Sequence, residues 1–370
     1  MLSGVGPPDP PTLPMKKPLI LVTGATGKTG GAVVQQLLRE GLPVRAVVRT
    51  LDARAQSLQR QGAEIAVASM YDPQQLLEAL RGTQRAYYLT LFQPYMIQAA
   101  AAFCVAAREA RIESVVQMSQ WTSNPSHPSL LTRQTWLVDR LFAAIPGVGH
   151  TILNPGMFAD NFLRMMDFAA LLGVFPVLAG RSRSAPVSNE DIARVAAKVL
   201  ADPSPHHAKR YRPTGPRLLS GHDMAEVIER TLGRRVRAFD LPFWMLLKVA
   251  RRQGIDPFEL SSLRDYMEDH RRGVFEFEGG VNDTVRELTG TPAEDFEVTV
   301  RRYAAMPFAR RTPARRLRAM ADFLLTPFLP GYNLAAYERA LRAPAPDAPL
   351  FSADSALWRR EHSLNPQPAP

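Results

Sequence analysis

Three glycines spaced three apart, Gly24, Gly27 and Gly30, lie between an apolar run, LILVT, and an amphipathic run, GAVVQQLLRE. Few features constrain a fold more. The apolar run reads as a buried parallel strand. In the second run Val33, Val34, Leu37 and Leu38 recur at helical spacing. A tight strand-to-helix turn needs residues without a Cβ where the backbone bends or must be closely approached. The helix that starts there offers free N–H groups and its positive dipole end to an anion. Strand, spacing and helix together point to a dinucleotide pyrophosphate held by Gly24, Ala25, Thr26, Gly27, Lys28, Thr29 and Gly30. The alternative is a glycine-rich turn with no ligand.

The alternation continues. Gly41 closes the first helix, and PVRAVVR is a second strand. A helix over Arg54 to Gln61 leads to the strand AEIAVAS, and DPQQLLEAL is a helix capped by Asp72. RAYYLT is strand four, a helix spans about Gln93 to Ala110, and SVVQMS is strand five. A helix from about Thr132 to Ala144, with Thr132 as its cap, precedes HTILN, strand six. This is the pattern of an α/β, doubly wound parallel (Rossmann) sheet over residues 17–156. Its ligand crevice lies at the carboxyl ends of strands one, two, four and five. Residues 157–305 read as a smaller, mostly helical capping lobe, partly interleaved with the sheet. The proline-rich residues 1–16 are expected to be disordered. Residues 306–370 form an Arg/Pro/Ala-rich C-terminal extension, its last thirty residues a loosely packed tail.

At the end of the second strand a carboxylate selects NAD and an arginine selects NADP. Arg49 stands there, with Arg54 a turn further on and Asp52 beyond the strand end. A guanidinium suits a 2′-phosphate, so NADP(H) is preferred over NAD(H). The alternative is a solvated surface arginine.

The net charge of +10 sits largely between Val298 and Ala321, which holds Arg301, Arg302, Arg310, Arg311, Arg315, Arg316 and Arg318 and no acid. No base-stacking aromatics interleave with the arginines at 310–318, so nucleic acid is not an expected partner. Arginines followed by Phe323, Leu324, Leu325, Phe328 and Leu329 suit an anionic membrane surface or a partner subunit, or packing on the chain's own domain. Cys104, the single cysteine, excludes an internal disulfide and reads as a core residue. No run approaches the roughly 18 apolar residues of a spanning helix, and the start is no signal peptide, so the expectation is cytoplasmic. His127, in NPSHPS, reads as solvated, and His206 and His207 lack partners at metal-ligand spacing, so no metal site is expected.

Several segments resemble the NmrA-like family of atypical short-chain dehydrogenases. They are VTGATGKTG at 22–30, AVVR at 46–49, YLT at 88–90, SVVQMS at 114–119, TILNPGMFADNF at 151–162 and ELTGTPAEDFEVTVRRYA at 287–304. Members bind NADP(H), sometimes NAD(H); some are quinone or related reductases, others redox-sensing regulators. The resemblance implies adenine contacts from Ser69 and Met70, nicotinamide-ribose contacts from Thr90, Leu91 and Phe92, and a further cofactor contact from Ser119. Pro155 and Gly156 would bring main chain to the carboxamide.

The sequence departs from the pattern in its catalyst. No tyrosine is followed four residues later by lysine, the pair that lets tyrosine protonate an oxyanion. Where many NmrA-like reductases carry a lysine, SLLTRQTWLVDRLF has none, and Arg133 is its only cation near the right end. Arginine can stabilise an oxyanion but cannot cycle a proton. Trp121, Gln134, Trp136, Met157, Phe158 and Asn161 are candidates for the substrate side. Trp121 and Trp136 form either an apolar wall for a flat substrate or ordinary core. The expected function is an NADP(H)-dependent reductase of an apolar quinone, carbonyl or imine. The alternatives are a cofactor-binding regulator acting through a protein partner, and an isomerase or lyase on the same fold.

Overall fold

The computed structural model describes residues 17–363, so the expectation for residues 1–16 lies outside the described residues. Its first half alternates β1 (Ile20–Val22), α1 (Lys28–Arg39), β2 (Val44–Val48), α2 (Ala53–Arg60), β3 (Glu64–Val67), α3 (Pro73–Leu80), β4 (Arg85–Leu89), α4 (Met96–Glu109), β5 (Ser114–Met118), α5 (Leu130–Ala143) and β6 (Gly149–Leu153). The second half holds α6 (Ala159–Phe162), α7 (Met166–Leu172), β7 (Val174–Val177), β8 (Arg183–Ser184), α8 (Asn189–Ala201), β9 (Arg210–Tyr211), β10 (Leu219–Ser220), α9 (Gly221–Leu232), β11 (Arg237–Asp240), α10 (Phe243–Gln253), α11 (Pro257–Arg271), α12 (Thr284–Thr289) and α13 (Phe296–Ala304). The extension adds α14 (Pro313–Leu325), α15 (Leu334–Leu341) and α16 (Ala356–His362).

The sheet runs β3-β2-β1-β4-β5-β6-β9, with every neighbouring pair parallel. Strand order reverses at β1, between β2 and β4, which opens the crevice at their carboxyl ends. Because side chains alternate across a strand, both faces must be apolar. Ile20, Val22 and Tyr87 join Val33, Leu37 and Val195 on one face. Leu21 and Tyr88 join Phe103, Val138 and Phe142 on the other. α8, from beyond β6, contributes to the first core, and β9 adds a seventh strand to the sheet. A separate core beyond the sheet gathers Phe175, Met224, Ile228, Phe296 and Val300.

Two expectations are corrected. α5 starts at Leu130 with Ser129 as N-cap, so Thr132 is an interior, buried residue rather than the cap. The last thirty residues are not loose as far as they are described: Ser352, Trp358 and His362 are buried, and Trp358 packs with Trp121, Met157 and Phe275. Cys104 is half-buried against the second core, and burial pushes its thiol up to about 12. Among the described residues no helix is long and apolar enough to cross a membrane.

Candidate active site

Gly24 adopts φ +63°, and a Cβ there would press on the Leu89 side chain. A Cβ on Gly30 would collide with the main-chain oxygen of Gly24. The Gly27 N–H donates to that same oxygen at 2.9 Å, so the loop curls on itself as it enters α1. No side chain caps α1, and Gly27 and Lys28 are exposed. The open first-turn N–H groups of a 12-residue helix, above a cradle that only glycine fits, suit a pyrophosphate. Ala25 and Thr29 are buried, and Thr26 is half-buried. The Thr29 hydroxyl donates to Asn189 Oδ1 at 2.7 Å, tying the loop to α8.

Lys28 reaches across to α13. Its Nζ donates to the Tyr303 hydroxyl and lies 3.6 Å from Asp160 Oδ1. Tyr303 in turn donates to Asp160 at 2.6 Å. Burial, then the hydrogen bond to Asp160, raises the Tyr303 pKa, so this phenol stays protonated. Sequence reasoning missed Asp160 and Tyr303. Both lie inside the segments that carried the resemblance, but nothing in their spacing marks them as neighbours of Lys28.

Arg49 follows β2 directly, is exposed, and has no ion-pair or hydrogen-bond partner among the described residues. Arg54 is differently placed. Its Nε and Nη2 donate to Asp52 Oδ2 at 3.0 and 2.7 Å. Asp52 also caps α2, and the Ala55 and Arg54 contacts hold its pKa low. After β3, Ser69 accepts from the Tyr71 N–H at 3.2 Å and Met70 is buried.

The ends of adjacent strands β4, β5 and β6 bring Thr90, Ser119, Pro155 and Gly156 to one edge, all buried. Thr90 donates to the Met118 oxygen, and the Gly156 N–H to the Pro213 oxygen at 3.0 Å. Leu91 is half-buried and Phe92 exposed.

The substrate-side candidates divide. Trp121 and Met157 share one cluster with Trp358. Phe158 packs against the first sheet core instead, and Asn161 is exposed. Gln134 donates to the Pro94 oxygen at 3.2 Å. Trp136 is not in the Trp121 cluster; its ring lies under the Arg140 guanidinium at 4.9 Å. Arg133 Nη1 donates to the His127 and Pro128 oxygens at 2.5 and 2.8 Å, and Nη2 to the Pro344 oxygen at 2.6 Å. Its fork therefore ties the loop before α5 to the extension. His127 is not solvated: it is fully buried, with Nε2 2.8 Å from Asp269 Oδ2, because the extension roofs its loop. A cavity of about 220 Å3 opens beside Trp121, lined also by Arg210, Arg212, Phe277 and His362, and holds no residue of the glycine loop. Burial lowers the Arg212 pKa to about 9.

A sequence profile described as the NmrA-like family matches residues 16–272. The chain belongs to that family. It is 30% identical over 289 residues to the NAD(P)H azoreductase of Xenophilus azovorans, covering 78% of this chain and 98% of that protein. The NADPH-dependent quinone oxidoreductase of Escherichia coli, solved in complex with NADPH, superposes with a TM-score of 0.64 at 25% identity. That match covers 76% of this chain and 98% of the other. Triphenylmethane reductase from Citrobacter, at 22% identity, TM-score 0.64 and 78% and 99% coverage, shares the fold.

Proposed function

We propose that this NmrA-like protein is an NADPH-dependent reductase that passes hydride to a flat, apolar acceptor of the quinone, azo, carbonyl or imine class. The observation that carries this reading is the glycine cradle at the start of α1 with an unpaired Arg49 at the end of the neighbouring strand. Relatives named as azoreductase and quinone oxidoreductase, matched over most of their length, support the acceptor class.

In this reading the loop at 24–30 holds the pyrophosphate and Arg49 the 2′-phosphate. Thr90, Ser119, Pro155 and Gly156 line the nicotinamide end, and Trp121 with Met157 keeps water from the acceptor. When bound, the reduced nicotinamide supplies hydride. The only Tyr–Lys contact among the described residues, Tyr303 with Lys28, belongs to the phosphate loop rather than the acceptor side. Arg133 is spent on three main-chain oxygens, so we assign it to positioning the β5–α5 loop. Acceptors that need little acid assistance fit such a site, where catalysis rests on positioning.

Loss of reduced-nicotinamide absorbance across a panel of quinones, azo dyes, aldehydes and imines tests the proposal. Turnover with NADPH on quinones or azo dyes is expected. NADPH binding without oxidation by any member of the panel overturns it and leaves the cofactor-binding regulator.

A further inference from the structure

The extension carries a helix that is apolar on two opposite sides. One side of α14 packs inward, with Ala319 buried and Phe323 set against Phe168 and Phe239 at ring distances of 6.3 and 5.9 Å. At about 100° per residue, Leu317, Ala321 and Leu324 fall on the opposite side, and Phe328 extends the row into the next turn. That row faces solvent: Leu317 is 73% exposed, Leu324 60% and Phe328 85%. Met320 and Leu325 widen it.

Arg316 and Arg318 flank the row on either side, and Arg310, Arg311 and Arg315 precede it, all exposed. The one carboxylate of α14, Asp322, is tied to Arg252. Beside the row, Lys248 of α10 donates to the Pro327 oxygen and lies over the half-exposed Trp244 ring at 5.2 Å. An apolar ridge with arginines at its shoulders and an indole at its edge matches the layering of a lipid surface. Acyl boundary meets the ridge, and anionic headgroups meet the guanidinium groups.

We propose that α14 and the turn after it form a docking face for an anionic membrane surface. The 13-residue helix is too short to span a bilayer, so it lies in the plane. A second copy of the chain fits worse. Two-fold pairing of this face would set the arginine rows against each other. The inference is independent of the reductase reading, since the family profile ends at residue 272.

Co-sedimentation of the full chain with vesicles tests it. Vesicles of phosphatidylcholine with phosphatidylglycerol should capture at least about tenfold more protein than phosphatidylcholine alone, with the excess lost at high salt. Leu324→Glu combined with Phe328→Glu should abolish capture. Arg316→Glu combined with Arg318→Glu should remove the preference for anionic lipid. All four side chains are exposed, so circular dichroism and NADPH binding should stay unchanged. Absence of capture, equal capture on both vesicles, or capture that survives Leu324→Glu with Phe328→Glu overturns the proposal. So does a concentration-dependent dimer that the same pair of substitutions dissolves, which would assign the face to a second copy.

Discussion

The indole Nε1 of Trp358 donates to the main-chain oxygen of Trp121 at 2.9 Å, joining the C-terminal extension to the loop after β5. Further bonds sew the same seam. The Ser352 N–H and hydroxyl donate to Asp269 at 2.9 and 3.0 Å, and Asp269 also holds His127. The Leu350 N–H donates to the Ser126 oxygen at 2.8 Å. A segment beyond the family profile thus closes the wall behind Trp121.

Truncating that closure should cost stability and open the wall. Trp358 is fully buried, so Trp358→Ala should lose about 3–5 kcal/mol in urea unfolding. The KM for bulky acceptors should fall while NADPH affinity stays constant. Trp358→Phe keeps a ring but leaves the Trp121 oxygen unpaired, costing about 1–3 kcal/mol. Unchanged acceptor KM in the alanine variant would assign the tail to stability alone.

Arg49 sets the second prediction. NADPH should bind at least about tenfold more tightly than NADH, and Arg49→Ala should remove most of that difference. One charge-assisted phosphate contact contributes about 1.5–3 kcal/mol. Arg54→Ala should matter less, because Arg54 is already held by Asp52. Calorimetric titration with both nucleotides decides. Equal affinities in the wild type would remove the NADP preference.

These two sites show what a sequence yields. The glycine cradle and Arg49 are local: each is defined by neighbours within a few residues, so strand, turn and helix periodicity place them. The parallel pairing of the first six strands follows from the same alternation, whereas β9 joins the sheet from a segment beyond it. What was not legible is long-range. Lys28 meets Tyr303 across most of the chain, and His127 is buried between Asp269 of α11 and the residues around 350. Proline-flanked NPSHPS has the composition of an exposed loop, and composition carries no information about a distant roof. The direction of the Arg133 side chain is not legible for another reason. The helix begins two residues earlier than its periodicity suggested, and a shift of two residues turns a side chain by about half a turn.

The Lys28, Tyr303 and Asp160 contact gives a third prediction, with opposite signs at two positions. Lys28 stands at the helix start where phosphate is expected, while Asp160 places a carboxylate beside it. Lys28→Ala should weaken NADPH binding about tenfold through the loss of one charged donor. Asp160→Asn should strengthen it several-fold, since it removes a negative charge near the phosphates and frees Lys28. Fluorescence titration of NADPH measures both. Weaker binding in Asp160→Asn would mean that the carboxylate instead holds the lysine in place.

Acid stability supplies the last prediction. His150 is buried, with Nε2 2.8 Å from Gln117 Oε1. Burial first, then the Arg210 charge, lowers its pKa to about 4. His270 is likewise lowered to about 4, mainly by burial. Both imidazoles are therefore neutral in the fold and titrate near 6.5 when unfolded. Between those values the unfolded chain binds protons that the folded chain refuses. The stability these two groups contribute then falls as pH drops from about 6.5 toward 4, and they add no slope above that window. Each imidazole can contribute up to about 3 kcal/mol across it. Asp139, reached from His150 through Gln117, opposes the trend, because burial raises its pKa and it takes up a proton more readily folded than unfolded. Urea unfolding at several pH values separates these terms. His150→Gln should keep most of the stability at neutral pH, because its side-chain amide can donate to Gln117 Oε1 in place of the imidazole. It should also decline less steeply toward pH 4 than the wild type. A variant curve parallel to the wild type through that window would show that the His150 proton is not part of the acid response.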